Sequence, residues 1–136
     1  KAVAVDPDFA TAYNNMGNAY KRLGDLTKAL EAYRRAIELD AGFVDAYNNI
    51  GTVYFSLGQR AEAVSYLKKA IALQPDYAAA YVNLAVAAYD AKDYAAAVDY
   101  IDKARALGAE VNAGLLKLLE PYRSARGAAS GQRVPL

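Results

Sequence analysis

Three asparagines recur at equal distances along the chain and offer the chemistry that is easiest to read from this sequence. Asn15, Asn49 and Asn83 are spaced 34 residues apart. A carboxamide carries N–H donors and a carbonyl acceptor together, so one side chain can pair with both the N–H and the C=O of a peptide unit. The equal spacing therefore predicts a row of polar contacts to another, extended polypeptide.

The residue types that most catalytic and metal sites need are missing or scattered. The sequence has no cysteine and no histidine, which removes thiolate nucleophiles, imidazole acid–base chemistry and zinc sites of the usual kind. Its carboxylates are spread over expected solvent faces, and no nucleophile has a base beside it. We therefore predict no catalytic residues, no metal and no cofactor, and we expect that this chain is not an enzyme.

The charge and hydropathy patterns limit the possible partners. Sixteen lysines and arginines nearly cancel fifteen aspartates and glutamates. Neutralising many phosphates needs a clear basic excess on one face, so we do not expect a nucleic-acid partner. No run of eighteen apolar residues occurs, so membrane insertion is not expected either. No signal peptide is visible and the sequence starts at Lys1, which leaves its localisation open.

The segment around each asparagine is repeated with the same period. Residues 13–17 read Tyr-Asn-Asn-Met-Gly, residues 47–51 read Tyr-Asn-Asn-Ile-Gly, and residues 81–85 read Tyr-Val-Asn-Leu-Ala. Apolar residues recur at helical spacing in two stripes per unit, with turn residues such as Gly24 and Gly58 between the stripes. Each unit is thus predicted to be two short antiparallel helices. The complete units are 10–43, 44–77 and 78–111.

These units resemble the tetratricopeptide repeat. The first unit has aromatic residues at its fourth and eleventh positions, Tyr13 and Tyr20, and the small residue Gly17 at its eighth. The third departs from the pattern with Ala88 at its eleventh position and Lys92 where glycine is usual. The resemblance implies an all-α fold: a right-handed α-solenoid of antiparallel helix pairs, with three full repeats, a partial N-terminal repeat helix and a C-terminal capping helix.

The ends of the chain are expected to differ from the repeats. Residues 1–9 have the pattern of the end of a truncated upstream repeat, so we expect at least one more repeat before them. Residues 112–123 are predicted to form the capping helix, begun by Asn112. Residues 124–136 have the composition of a linker and are predicted to be a flexible tail.

The resemblance also implies which positions face a concave groove on the first helices. The groove is expected to change from polar and basic at its N-terminal end to apolar and aromatic at the other. Asn15, Asn49 and Asn83 would form a ladder similar to that in the repeats of the transferase that adds N-acetylglucosamine to serine and threonine. The predicted peptide-binding residues are Asn15, Asn49, Asn83, Asn14, Asn18, Asn48, Thr52, Phe55, Lys21, Val82, Val86 and Tyr89.

A second binding mode of the family, the clamp for the C-terminal carboxylate of heat-shock chaperones, fits this sequence badly. The clamp needs three cations and two asparagines at defined positions. Both asparagines are present as Asn18 and Asn49, but Asn14, Ala79 and Asn83 replace the cations. The charge-assisted bonds that would hold a carboxylate are thereby lost, so we predict that this clamp is absent.

We therefore expect a protein–protein interaction scaffold that binds an extended peptide or an unstructured segment in its groove, with backbone contacts from the asparagine ladder. Two alternatives are open. The chain could be a self-assembly module that engages another copy through its tail or groove, and hence a homo-oligomer. It could also be the substrate-recruiting domain of a larger enzyme, such as a glycosyltransferase.

Overall fold

A computed structural model describes the backbone of residues 7–133 and the side chains of residues 8–123. Within this part of the chain, all regular structure is helical. Among these helices, none combines the length and apolar character that a membrane span requires. The helices are α1 (Pro7–Arg22), α2 (Leu26–Leu39), α3 (Val44–Ser56), α4 (Arg60–Leu73), α5 (Ala78–Asp90), α6 (Tyr94–Ala106) and α7 (Ala113–Arg133).

The helices stack as consecutive pairs. The closest packing joins α1 to α2, α3 to α4 and α5 to α6, and each pair then packs on the next. The backbones of the first helices of neighbouring pairs also come close, α1 to α3 and α3 to α5, whereas the second helices of the described array bring no Cα atoms within 8 Å of one another. The array therefore curves with its first helices on the inner side. This arrangement confirms the predicted all-α solenoid of helix pairs.

The turn inside each pair uses a residue with left-handed backbone. Gly24, Gly58 and Lys92 occupy the same position in successive pairs and have φ values of 84°, 79° and 65°. Glycine adopts this conformation without steric cost, whereas lysine does not. Two of the following helices are capped by the aspartate that comes after this turn residue: Asp25 accepts a hydrogen bond from the N–H of Lys28, and Asp93 accepts one from the N–H of Ala96.

Small residues allow the two helices of a pair to approach closely. A Cβ added at Gly17 would lie 2.5 Å from the ring of Tyr33, and one added at Gly51 would lie 2.8 Å from Leu67. Both facing side chains are buried, at 0% and 1% exposure. Each glycine therefore provides the space that a large residue of the second helix fills.

The N-terminal face of the array is less covered than the interior. Met16 is 45% exposed, whereas Ile50 and Leu84, at the same position in the next two repeats, are 0% and 1% exposed. The difference arises because α2 and α4 pack against α3 and α5, while no described helix precedes α1. Helix α1 begins at Pro7, so residues 7–9, which the sequence assigned to the end of an upstream repeat, belong to α1 instead. The rest of that predicted segment, residues 1–6, lies outside the described residues. Proline is well suited to a first helical position because its φ angle is already helical.

The capping helix is longer than predicted. Asn112 begins it as expected, accepting hydrogen bonds from the N–H groups of Gly114 and Leu115. Leu119 is 1% exposed in the last core cluster, and Arg123 forms an ion pair with Asp102 of α6 at 2.6 Å. However, α7 continues to Arg133, ten residues past the predicted end at 123. Residues 124–133, assigned by composition to a flexible tail, are helical, and residues 134–136 lie outside the described part.

Candidate peptide-binding groove

The inner face formed by α1, α3 and α5 contains two pairs of asparagines that link neighbouring repeats. The Asn49 side chain donates from Nδ2 to Oδ1 of Asn14 at 3.0 Å. One repeat later, Asn83 donates in the same way to Asn48 at 2.9 Å. Each bond joins the sixth position of one repeat to the fifth position of the repeat before it.

These bonds assign different roles to the two positions. Asn14 and Asn48, predicted as ligand contacts, are only 6% and 7% exposed, and their carbonyl oxygens are used within the fold. Asn49 and Asn83 are half-buried, and Asn15 of the first helix is exposed. The ladder side chains therefore lie nearer the surface than the neighbouring asparagines that orient them.

A tyrosine of the second helix reaches the side chain of Asn18. The hydroxyl of Tyr33 donates to Oδ1 of Asn18 at 2.6 Å. The ring passes over Gly17, where any side chain would block it. Burial raises the pKa of Tyr33 to about 12, although the positive charge of Arg22 acts in the opposite direction. The side-chain oxygen of the predicted groove residue Asn18 is thus bound to Tyr33, and its N–H groups are the part that can contact a ligand.

A lysine in the middle of the groove is held by a neutral hydroxyl. Nζ of Lys21 donates to Oγ1 of Thr52 at 2.8 Å, and the same hydroxyl donates to the backbone carbonyl of Asn49 at 2.8 Å. The lysine is half-buried, and this desolvation lowers its pKa. The chain of bonds links α1 directly to α3.

A cavity of about 180 Å³ opens beside this lysine. Five residues predicted from the sequence line it: Lys21, Thr52, Phe55, Asn83 and Val86. The remaining lining residues are Gly51, Ser56 and Leu67. Leu67 belongs to a second helix, and it was not among the predicted groove residues, which all lie on first helices. It reaches the inner face because Gly51 has no side chain. The glycine in the sequence was therefore the feature that could have indicated a groove residue on the second helix.

Among the predicted groove residues that are not asparagines, two do not take part in this cavity. Val82 is half-buried on α5 and does not line it. Tyr89 lies 5.3 Å from Tyr94 and 6.5 Å from Tyr122 between ring centroids, within the cluster where α7 packs. The structure therefore places Tyr89 in an aromatic cluster with Tyr94 of α6 and Tyr122 of α7.

The described side chains offer no apparent place for a metal ion. No group of three or more histidines, cysteines, aspartates or glutamates in the described part is arranged to hold one. The residues around the cavity offer hydrogen bonding by an amide and by the Thr52 and Ser56 hydroxyls, together with the Lys21 charge and an apolar wall.

Family models match this sequence over most of its repeats. One described as "TPR repeat" matches residues 1–24 and 17–58, and another described as "Tetratricopeptide repeat" matches residues 48–111. The chain belongs to the tetratricopeptide repeat family. TPR proteins are in general non-catalytic interaction modules. Comparison of this TPR chain with curated proteins gives no match.

Solved TPR structures share the fold. The first TPR of Spaghetti (RPAP3), bound to HSP90 peptide SRMEEVD, is 23% identical with a TM-score of 0.81, over 93% of this chain and 99% of that chain. MamA is 31% identical with a TM-score of 0.68, over 75% of this chain and 60% of its own. The TPR2AB domain of yeast Sti1, in complex with pHSP90, is 30% identical with a TM-score of 0.73, over 86% and 46%. This chain thus spans less than two thirds of the latter two.

Proposed function

We propose that this TPR array binds an extended peptide or an unstructured segment of a partner protein along its inner face. Asn15, Asn49 and Asn83 would contact the ligand backbone. The observation that carries the proposal is the use of a single N–H by each paired ladder asparagine. Asn49 and Asn83 donate once to the preceding repeat, which leaves their Oδ1 and second N–H available to a peptide unit.

The spacing of the helices suits an extended ligand. Packed helices lie about 8–10 Å apart, and an extended chain advances roughly 3.3 Å per residue. One asparagine can therefore meet the ligand backbone about every third residue. Each pair of hydrogen bonds contributes on the order of 1 kcal/mol, so we expect micromolar or weaker binding with little dependence on ligand sequence.

Related structures support peptide binding as the general activity. The first TPR of Spaghetti (RPAP3) is bound to an HSP90 peptide, and the TPR2AB domain of yeast Sti1 is in complex with pHSP90. In the present chain the three cations expected of a carboxylate clamp are replaced by Asn14, Ala79 and Asn83. We therefore propose recognition of the ligand backbone rather than of its terminal carboxylate.

The test uses a random library of 12-residue peptides displayed with their C-termini fused to a carrier. Selected peptides are synthesised and their Kd is measured for the wild-type chain and for Asn15→Ala/Asn49→Ala/Asn83→Ala. We expect weakening of at least about tenfold, because up to three pairs of hydrogen bonds are lost. Methylation of a ligand backbone nitrogen that faces a ladder asparagine should weaken binding to the wild-type chain as well.

A matched triple variant controls for general effects of substitution. Thr27, Ser65 and Lys68 are exposed on second helices, away from the inner face, and alanine at these positions should leave the Kd unchanged. Circular dichroism checks that both variants stay folded. Equal affinity of the folded ladder variant and the wild-type chain would overturn the asparagine ladder, and selection of no peptide would overturn the proposed function.

A further inference from the structure

Lys21 is a half-buried cation that forms no ion pair with any side chain that the structure describes. Its Nζ donates to the neutral hydroxyl of Thr52, and none of the salt bridges among the described residues includes it. An ammonium group has three N–H donors, and removal from water is costly for a charge without a counterion. Burial lowers the pKa of Lys21 accordingly. An anionic group of a ligand would supply the missing counterion.

Two acidic side chains on the first helices, at positions that the family resemblance places towards the groove, are already engaged by other residues. Asp45 accepts a hydrogen bond from the hydroxyl of Tyr77. Asp90 forms an ion pair with Arg60 at 2.7 Å. Each of these carboxylates is thereby attached to the neighbouring repeat or helix, whereas Lys21 faces the cavity that it lines. The charge left for a ligand at the centre of the groove is therefore positive.

The cavity beside Lys21 has the size and lining that suit one acidic side chain. Its volume of about 180 Å³ is below the roughly 300–1,000 Å³ of pockets that enclose drug-sized ligands. Phe55 and Val86 form an apolar wall on which methylene groups can pack, while the ammonium group of Lys21 provides N–H donors. A carboxylate bound to such donors forms charge-assisted hydrogen bonds, which are stronger than neutral ones.

We propose that this cavity selects an aspartate or glutamate side chain within the bound peptide, with its carboxylate on Nζ of Lys21. The inference rests on the proposed function. It adds a preference for one ligand residue to binding that otherwise depends little on ligand sequence. The lysine lies at the twelfth position of its repeat, outside the set of positions that a clamp for a terminal carboxylate requires. An internal acidic residue is thus the expected ligand group.

The experiment compares selections from the random 12-residue library on the wild-type chain and on Lys21→Met. The fused C-termini remove the free terminal carboxylate as an alternative anion. We expect the wild-type chain to select peptides with aspartate or glutamate at one fixed position. Changing that residue to asparagine or glutamine in a synthetic peptide should weaken wild-type binding about tenfold. The same change should leave the affinity of Lys21→Met within about twofold, because the charge partner is already lost.

Two further variants make the result specific. Lys117→Met removes one positive charge from an exposed position on α7 and should keep the acidic preference. Lys21→Arg keeps the charge and should retain most of it. Binding peptides without a fixed acidic residue, or equal loss from the Asp→Asn or Glu→Gln change in the wild-type chain and in Lys21→Met, would overturn this inference while peptide binding stands. Selection of no peptide would overturn both proposals.

Discussion

Nδ2 of Asn49 donates to Oδ1 of Asn14 at 3.0 Å across the junction of two repeats. The bond is repeated one period later between Asn83 and Asn48. Asn14 and Asn48 are buried and fix the orientation of Asn49 and Asn83, which we propose contact the ligand backbone. Asn14 and Asn48 are therefore positioning residues that also join adjacent repeats.

Neighbouring asparagines on α1 should respond differently to alanine. Asn14→Ala leaves the N–H of Asn49 without its acceptor in a half-buried site, so we expect a loss of about 1–2 kcal/mol in the free energy of unfolding. Asn15 is exposed, and Asn15→Ala should change stability by no more than about 0.5 kcal/mol. Urea denaturation of both variants measures the difference. Equal stabilities would contradict the structural role of Asn14.

Gly17 and Tyr33 should be coupled through their sizes. A Cβ at position 17 would lie 2.5 Å from the Tyr33 ring, so we expect Gly17→Ala to destabilise the fold by about 1–3 kcal/mol. The third repeat has Ala85 and Ile101 at the equivalent positions, both fully buried. In Tyr33→Ile the added methyl group should be tolerated. A double-mutant cycle in urea should show coupling of at least about 1 kcal/mol, and additive effects would refute the contact.

The backbone at Lys92 should be relieved by glycine. Lys92 has a φ of 65°, and glycines hold this position in the two preceding turns. We expect Lys92→Gly to raise the free energy of unfolding by about 1 kcal/mol. Gly58→Ala is the reverse control, because its added Cβ would meet nothing within 4 Å and only the backbone cost remains. Thermal and urea denaturation should show opposite shifts for the two variants.

Tyr33 should make the array less stable at high pH. Its pKa rises from 10.0 in the unfolded chain to about 12 in the fold, chiefly through burial. The stabilisation that this difference gives is complete below pH 10 and is lost as the pH rises from 10 to about 12. Tyr33→Phe has no ionisable hydroxyl, so its stability should fall less over this interval. Urea denaturation of both proteins at pH 9, 10 and 11 tests this. If their free energies of unfolding fell equally with pH, Tyr33 would not be a source of the pH dependence.

The equal spacing of residues is sufficient by itself to predict the helix-pair architecture. A period of 34 residues, apolar stripes at helical spacing and Gly24 and Gly58 between them are local signals, because helix and turn preferences act over a few residues. The resemblance to the tetratricopeptide repeat added the groove residues Lys21, Thr52, Phe55, Asn83 and Val86, which the structure brings together around one cavity. The start of α7 at Asn112 was likewise visible in the sequence.

Tertiary packing decided which of the predicted groove residues remain available. Asn14 and Asn49 are both asparagines, at the fifth and sixth positions of their repeats. Only the packing of α1 against α3 makes Asn14 the buried acceptor of the Asn49 N–H. Tyr89 packs against α7, because the ring of Tyr122 on the capping helix lies beside it. A repeat pattern records the position of a residue within its own unit. The contacts of its side chain depend on the neighbouring unit, and those follow from how the helices stack.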